Sequence, residues 1–361
     1  MYMKKFYISF TVFVFLLVSI SFACSKKNTS TNYNIVTSGD TSLKQLPFPF
    51  GFAVNVAKLN RNLAYTNVLL TQAKSVTAET AMKIAYLHPA QNTYVWADAD
   101  TLVNFATRNN IRVHGHTLIW HQSLPTWLTN FTGDSTAWEN IMKTYIQTVV
   151  SHFKGKVASW DVVNEAIAND GTGYYRATSL WYQKLGPGYI ARAFQYAHEA
   201  DSSALLFYND YGSEWSPQKR YVILDMLAGL KAKGVPIDGI GLQMHTDITK
   251  ADTSIQNAIR TAAATGLKVH ISELDISLNY YNDQSMVYNS VIAQKQSDKY
   301  KMLVKAYNAI PKSQQYGITT WEIGDIDSWI TSFYNRPDWP LLFNNNYEKK
   351  AAFYGVLSGV Q

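Results

Sequence analysis

The chain has 361 residues, of which 47% are hydrophobic and only 16% charged, a composition that is typical of globular proteins and excludes disorder as the main state. The formal net charge of +6 is spread along the chain without a block of Lys and Arg, so no nucleic-acid-binding arm is indicated. Aromatic residues make up 14%, and because such rings offer flat apolar surfaces to sugars, this content slightly favours carbohydrate binding.

The first 23 residues have the pattern of an export signal. Two lysines precede a continuous apolar stretch from Phe6 to Phe22, and Cys24, the single cysteine of the chain, follows a small residue directly after it. This arrangement resembles the lipobox of bacterial lipoproteins, although Ser21 stands where that box usually has Leu. The resemblance implies a signal peptide over residues 1–23, lipidation of Cys24 and attachment at the cell envelope or surface. An ordinary signal peptide with a secreted product, or a retained membrane helix, remains an alternative.

Residues 25–45 are rich in Ser, Thr, Asn and Lys and have no apolar periodicity. Residues 24–45 are therefore predicted to form the lipid anchor and a flexible tether. No second linker or repeat interrupts residues 46–361, which predicts a single domain. One cysteine excludes an internal disulfide, nothing indicates a cofactor, and we expect a monomer whose only membrane contact is the lipid anchor.

Within this domain, short apolar runs alternate with amphipathic stretches at helical spacing. The predicted strands are Phe50–Val56, Ala73–Val76, Ile111–Thr117, Val157–Val163, Ala204–Tyr208, Gly239–Met244, Leu267–Ser272 and Tyr316–Trp321. The predicted helices include Ala99–Asn109, Trp138–Phe153, Gly188–Ala200, Pro217–Lys233, Ser254–Thr265 and Ala293–Ile310. This alternation predicts an α/β fold with parallel strands, most economically closed as a single (β/α)8 TIM barrel. A doubly wound open sheet is the alternative, but no glycine-rich phosphate loop follows the first strand.

Each of the eight predicted strands ends in a polar or aromatic side chain or leads into one. In chain order these are Asn55, Glu79 with Thr80 and Lys83, His114 with His116, Asn164 with Glu165, Asn209 with Asp210, Gln243 with His245, Glu273 with Asp275, and Trp321. A polar group at one strand end is usually a helix cap or loop residue. Because barrel enzymes build their active sites at the carboxyl ends of the strands, the same feature on all eight predicts a pocket.

Glu165 and Glu273 lie on well-separated strands, without the order of a Ser-His-Asp triad. Two such carboxyls suit the hydrolysis of a glycosidic bond, in which one donates a proton to the leaving oxygen and the other attacks the anomeric carbon. Their surroundings must then hold the two pKa values apart. Taken alone, each glutamate is equally well explained as an ion-pair partner or a helix cap.

His114 and His116 point to one face of the predicted third strand, a spacing that some metal-dependent barrel hydrolases use for paired imidazoles. In those barrels the pair lies on the first strand and is joined by further His and Asp ligands. Only His245 is expected near the pair in this chain. The sequence therefore predicts no metal site.

Five segments resemble, in the same order, the signatures of family-10 glycoside hydrolases, the xylanase family. They are Gly115–His121, Trp160–Ala166, Gly241–His245, Ile271–Ile276 and Asp325–Trp329. The resemblance covers roughly residues 50–356. It implies a (β/α)8 barrel that hydrolyses internal β-1,4-xylosidic bonds of xylan with retention of configuration, and carboxyl groups roughly 5–5.5 Å apart.

The resemblance also implies a role for each matching residue. Glu165 would be the acid/base and Glu273 the nucleophile, and Asn164 would bind the 2-hydroxyl of the sugar. His245 would orient Glu273 and help to keep it ionised. Asp275 is expected to support the site without touching the sugar. The other sugar-binding residues implied are Glu79, Lys83, His116, Trp120, Gln243, Trp321 and Trp329.

The chain departs from the family pattern on the expected sugar-binding rim. Thr80 stands where the family has Asn, Ile84 where it has Trp, and Glu322–Gly324 where it has Gly-Val-Thr. A lost hydrogen bond to a sugar hydroxyl costs about 0.5–1.5 kcal/mol, so weaker binding or a shifted substrate preference is expected. Two alternatives therefore stay open: a retaining hydrolase of another β-linked glycan, and a non-catalytic glycan-binding lipoprotein, which the two intact glutamates disfavour.

Overall fold

The computed structural model describes residues 41–169 and 174–361. The expected signal peptide, Cys24 and the expected tether up to residue 40 lie outside these residues. The described residues belong to one compact unit, and no helix among them is long and apolar enough to cross a membrane.

Parallel strands close into a ring around the axis of the molecule. The strands are β1 (Phe50–Val54), β2 (Ser75–Ala78), β3 (Arg112–Ile119), β4 (Ser159–Asn164), β5 (Leu205–Asp210), β6 (Gly239–Leu242), β7 (His245–Asp247), β8 (Lys268–Ser277) and β9 (Gln315–Thr320). β1 to β6 pair in sequence order, β6 pairs with β8, β8 with β9, and β9 with β1. The short strand β7 pairs only with the end of β8. The predicted (β/α)8 barrel is confirmed.

Helices follow the strands along the chain. Those in the described residues are α1 (Val56–Leu59), α2 (Leu63–Gln72), α3 (Ile84–Leu87), α4 (Ala97–Arg108), α5 (Thr126–Thr129), α6 (Ser135–His152), α7 (Leu180–Leu185), α8 (Tyr189–Ala200), α9 (Pro217–Ala232), α10 (Asp252–Ala263), α11 (Ser290–Asn308), α12 (Trp329–Phe333) and α13 (Ala351–Ser358). The six helices predicted above correspond to α4, α6, α8, α9, α10 and α11.

Several of the long helices begin at a polar cap. The Asp134 carboxylate accepts the amide of Ala137 at 2.9 Å at the start of α6. At the start of α9 the hydroxyl of Ser216 accepts the amide of Lys219 at 3.2 Å, with Pro217 in the first turn. Such caps satisfy amides that have no partner within the helix, so they fix where each helix starts. The cap of α9 also sets the position of Lys219, which lies beside the site described below.

The folded unit begins before the expected boundary at residue 46. Leu43 is fully buried, and its amide donates to the Gln72 side-chain carbonyl at 3.0 Å. The Ser42 hydroxyl donates to the carbonyl of Thr71 at 2.6 Å. Because these contacts anchor the segment to the end of α2, residues 42–45 are part of the domain rather than of a flexible tether.

Candidate active site

The expected site residues lie at the carboxyl ends of the strands. Asn164 ends β4 and Glu165 follows it, while Gln243 follows β6. Glu273 lies within β8, where its amide donates to the carbonyl of Gln243 at 3.0 Å. Glu165 has a φ of 58°, in the left-handed region that is uncommon for residues other than glycine. The chain therefore turns sharply at Glu165, directly after the strand.

Side-chain amides bridge the two glutamates. Glu165 Oε1 accepts from Asn164 Nδ2 at 3.2 Å and from Gln243 Nε2 at 3.0 Å. On the other side, Asn209 Nδ2 donates to Glu273 Oε1 at 2.7 Å and to Asn164 Oδ1 at 2.9 Å. Both glutamates are less than a tenth exposed. The two carboxyls thus belong to one buried polar network.

Asn209 is a member of this network that the sequence analysis did not include among the site residues. Its own side-chain oxygen accepts from the Ser272 hydroxyl at 2.6 Å, which fixes the orientation of the amide. Gly241 on the neighbouring strand leaves room for it, because an added Cβ would lie 2.1 Å from Asn209 Oδ1. Its position at the end of the predicted fifth strand was the only signal that pointed to it.

The surroundings of Glu165 favour its protonated form. Burial raises the pKa of the Glu165 carboxyl, and the nearby charge of Asp210 raises it further. The hydrogen bond from Gln243 lowers it, but the net shift is upward. His121 Nδ1 lies 3.8 Å from Glu165 Oε2. Burial, with the charges of Arg176 and Lys219, lowers the pKa of His121 to about 4, so this imidazole is neutral near pH 7.

The surroundings of Glu273 favour its ionised form. Burial alone would raise its pKa, but the hydrogen bond from His245 and the charges of His116 and His245 lower it below the ordinary value. His245 Nε2 lies 3.2 Å from Glu273 Oε2, and His116 Nδ1 lies 4.0 Å from Glu273 Oε1. One glutamate is therefore set up to hold a proton and the other to be without one.

Asp275 binds the ring nitrogen of His245 that does not face Glu273. Its Oδ2 lies 2.7 Å from His245 Nδ1 and accepts from Trp329 Nε1 at 2.9 Å. Burial would lower the pKa of His245, yet Asp275 and Glu273 together raise it well above the ordinary value. The imidazole is therefore a cation held between two carboxylates, and Trp329 is tied to the same group.

The two histidines of the third strand bind one buried carboxylate. Asp161 lies 3.0 Å from His114 Nε2 and 2.9 Å from His116 Nδ1. Burial opposes ionisation of Asp161, but the two imidazoles lower its pKa below the ordinary value. Asp161, which the sequence analysis did not single out, thus orients His116 toward Glu273. Among the described residues, no group of three or more His, Cys, Asp or Glu side chains is arranged to hold a metal ion.

A basic and aromatic wall borders the glutamates. The Lys83 ammonium lies 5.0 Å from the ring centroid of Trp120 and 5.6 Å from that of Trp321. Burial lowers the pKa of Lys83. The charges of Glu273, Glu79 and Glu165 raise it, but the net shift is downward. The structure therefore places the expected sugar-binding residues Glu79, Lys83, Trp120 and Trp321 around the same centre.

Two of the departures from the family pattern are buried side chains. Ile84 is buried and packs in the hydrophobic core, so the expectation that it lies on the sugar-binding rim is wrong for this residue. The reason is that Ile84 starts α3 and turns its apolar side chain inward. Glu322 is also buried, at a φ of 89°, and burial together with the neighbouring Glu79 raises its pKa well above the ordinary value.

A closed (β/α)8 barrel with two buried carboxyls, whose pKa values are shifted in opposite directions, at the carboxyl end of its strands defines a class of proteins, the barrel glycoside hydrolases. The family model of glycosyl hydrolase family 10 matches residues 40–359. The chain therefore belongs to glycosyl hydrolase family 10.

Several xylanases are similar to the chain over most of its length. An endo-1,4-beta-xylanase A of Cellvibrio japonicus is 36% identical over 90% of this chain and 57% of its own length. An endo-1,4-beta-xylanase of Geobacillus stearothermophilus is also 36% identical, over 86% of this chain and 95% of its own length. The crystal structure of xylanase 10B from Thermotoga petrophila in complex with xylobiose superimposes with a TM-score of 0.82 at 35% identity, over 90% of this chain and 98% of that one. The chain spans about half the length of several curated relatives, including the Cellvibrio enzyme.

Proposed function

We propose that the protein is an endo-β-1,4-xylanase that retains the configuration of the sugar, with Glu165 as acid/base and Glu273 as nucleophile. The observation that carries this proposal is that two buried carboxyls, joined through Asn164, Asn209 and Gln243, lie in surroundings that shift their pKa values in opposite directions. A double displacement needs this pairing, because one group must give a proton while the other gives an electron pair.

In the first step, Glu273 attacks the anomeric carbon and Glu165 transfers its proton to the glycosidic oxygen. The bond between that carbon and oxygen breaks, which leaves a glycosyl ester on Glu273 and a carboxylate on Glu165. In the second step, Glu165 takes a proton from water, whose oxygen attacks the anomeric carbon and releases Glu273. Both carboxyls return to their starting states, and two inversions give net retention.

The surrounding groups support charge changes during these steps. The His245 cation holds Glu273 ionised before attack and stabilises the carboxylate again when it is released. The amide of Asn164 bonds Glu165. We expect Asn164 to bind the 2-hydroxyl of the sugar as well, a contact that strengthens as positive charge develops on the ring. Trp120 and Trp321 offer apolar faces to the sugar next to the Lys83 ammonium.

Xylan is the substrate we propose because of the names and ligands of the relatives. Xylanases of several bacteria cover most of the chain, and the Thermotoga structure was solved with xylobiose. One relative, 34% identical over 86% of this chain, is named exoglucanase XynX from Acetivibrio thermocellus, and the chain spans 28% of its length. Together with Thr80, this relative supports a β-glucan as the second candidate substrate.

Product analysis tests the chemistry and the substrate together. We expect short xylo-oligosaccharides from xylan, little product from mixed-linkage glucan or carboxymethyl-cellulose, and a loss on the order of 10⁴-fold or more for Glu273→Ala. The matched control is Glu199→Ala, which removes an exposed glutamate from α8. Release of sugars from glucan alone would identify glucan as the substrate and leave the proposed mechanism unchanged. Binding of xylan without any product would support the glycan-binding alternative instead.

We also propose that residues 1–23 are a signal peptide and that Cys24 carries a lipid. The supporting features are the apolar stretch from Phe6 to Phe22 and the small residue before Cys24. In a bacterial host, the full chain should incorporate labelled fatty acid and partition with membranes, and Cys24→Ser should do neither. Equal labelling of the two chains would rule out this anchor.

A further inference from the structure

The segment that carries Glu165 is held against β5 by its backbone. The Glu165 amide donates to the Asn209 carbonyl at 2.8 Å, and the next amide, of Ala166, donates to the Tyr208 hydroxyl at 3.1 Å. The amide of Ile167 donates to Asp210 Oδ2 at 3.4 Å. Three successive amides therefore bind three successive residues of β5, so the position of Glu165 depends on that strand.

Asp210 is the charged member of this strand, and a buried cation accompanies it. Lys219 Nζ lies 2.8 Å from Asp210 Oδ1, and both side chains are almost completely buried, at 3% and 1% exposure. The amide of Tyr211 donates to the same Oδ1 at 2.9 Å, and the Tyr208 hydroxyl donates to Oδ2. Lys219 Nζ also lies 3.5 Å from the centroid of the Tyr211 ring. These contacts hold Asp210 in one place.

We propose that Asp210 and Lys219 are a positioning pair for Glu165: Asp210 holds residues 166 and 167 against β5, directly and through the Tyr208 hydroxyl, Lys219 holds Asp210, and the charges of the pair act on the Glu165 carboxyl. The proposal rests on the proposed function in naming Glu165 as the acid/base. An anion close to a carboxyl makes ionisation of that carboxyl less favourable, and a cation next to the anion reduces this effect. Asp210 thus raises the pKa of Glu165. Lys219 limits this rise, so that Glu165 can still donate its proton.

Other charged and titratable groups face the same region and must be separated from the pair. Those around the Glu165 carboxyl are Lys83, His121, Arg176, Asp210 and Glu273. Those around the ion pair are His121, Glu165, Arg176, Tyr189, Tyr208, Tyr211 and Glu214. Burial raises the pKa of Glu214 to about 7, so Glu214 is a second buried carboxyl that titrates above the ordinary range, and Glu214→Gln removes its titration from the test below.

The two members of the pair should have opposite effects on Glu165. Asp210→Asn removes the anion with little change in shape, so the pKa of Glu165 should fall. Lys219→Met removes the cation that offsets the charge of Asp210, so the pKa of Glu165 should rise. A displacement on the order of one pH unit is expected for a unit charge several ångströms away at an effective dielectric constant of about 20. A pair that was only structural would weaken activity in both variants without opposite displacements.

The experiment measures the titration of Glu165 in the whole protein by NMR, with ¹³C-labelled glutamate and the signal assigned through Glu165→Gln. All variants carry Glu214→Gln. The alkaline limb of the profile of kcat/KM against pH on xylan is the second readout. The control is Lys350→Met, because Lys350 and Asp325 form another buried pair at 2.9 Å, outside the contacts of Glu165. This control should lower stability and leave the Glu165 pKa and the alkaline limb unchanged. Lys219→Arg, which keeps the cation, should give values closer to the parent than Lys219→Met does.

Opposite displacements in Asp210→Asn and Lys219→Met support the proposal. An unchanged or raised Glu165 pKa in Asp210→Asn overturns it, and so does displacement of both variants in one direction. Since Asp210→Asn keeps the side-chain shape, its result decides alone if Lys219→Met does not fold. If the protein releases no sugar while the NMR displacements are opposite, the proposed function is wrong, but the effect of Asp210 and Lys219 on Glu165 is still supported.

Discussion

Glu322 is a buried carboxyl that no step of the proposed reaction uses. It is 2% exposed and has a φ of 89°, in the region that glycine adopts more easily than other residues. Burial is the main reason for its raised pKa, with the charge and hydrogen bond of Glu79 adding to it. The side chain is therefore protonated in the folded protein at pH values where an exposed glutamate is ionised.

This raised pKa makes stability depend on pH in a defined direction. The folded state holds a proton that the unfolded state releases near the ordinary value of 4.5. Stability from this group is therefore complete below that pH and is lost as the pH rises toward the folded-state pKa.

Glu322→Gln should remove this dependence, because glutamine is similar in shape and does not ionise. We expect the free energy of unfolding of the parent to fall more steeply between pH 5 and 8 than that of the variant, by about 1.4 kcal/mol for each pH unit below the folded-state pKa. Urea unfolding across this range measures the effect, with Glu199→Gln as the exposed control. Parallel stability profiles for parent and Glu322→Gln would show that Glu322 is not protonated in the fold.

At the scale of helices and strands, an element could be predicted where its apolar residues recur at regular spacing. Helices with one clear apolar face and a polar cap, such as α6, were predicted to within three residues. α2 was missed because Leu63 and Leu70 are apolar yet exposed, at 76% and 37%, which obscures its periodicity. The strand predicted to run through Met244 ends at Leu242, since Met244 has a φ of 61° and breaks it.

The same scale explains which site residues the sequence could indicate. Position at a strand end, together with the family signatures, pointed to Glu165 and Glu273 individually. Asp161 and Asn209 act through cross-strand register, which places Asp161 opposite His116 and Asn209 opposite Asn164. Register depends on how strands from distant parts of the chain align, so single-sequence patterns do not contain it.

At the scale of the whole molecule, both ends of the described chain contribute to closing the barrel. β1 pairs with β9, with Phe50 opposite Ile318, so the first and last strands are neighbours. Ahead of β1, the ring of Phe48 packs edge-on against Tyr307 of α11, with centroids 4.9 Å apart. The Lys349 ammonium donates to the carbonyl of Thr41 at 3.0 Å. The segment before β1 therefore joins α2 at one side and α11 at the other, and the ring that carries the glutamates depends on it.

The beginning of the folded domain can be tested with two shortened chains, one starting at Thr41 and one at Pro47. The second lacks Leu43 and Leu46, which are 0% and 3% exposed, and the hydrogen bonds of Ser42 and Leu43 to the end of α2. Burial of a leucine contributes about 1.5–3 kcal/mol, so the chain starting at Pro47 should be less stable by roughly 3–6 kcal/mol in denaturant unfolding. Leu43→Ala in the longer chain should account for about 2–5 kcal/mol of this difference. Equal stability of the two shortened chains would mean that the flexible tether extends to residue 45 after all, because the buried leucines would then contribute nothing to the fold.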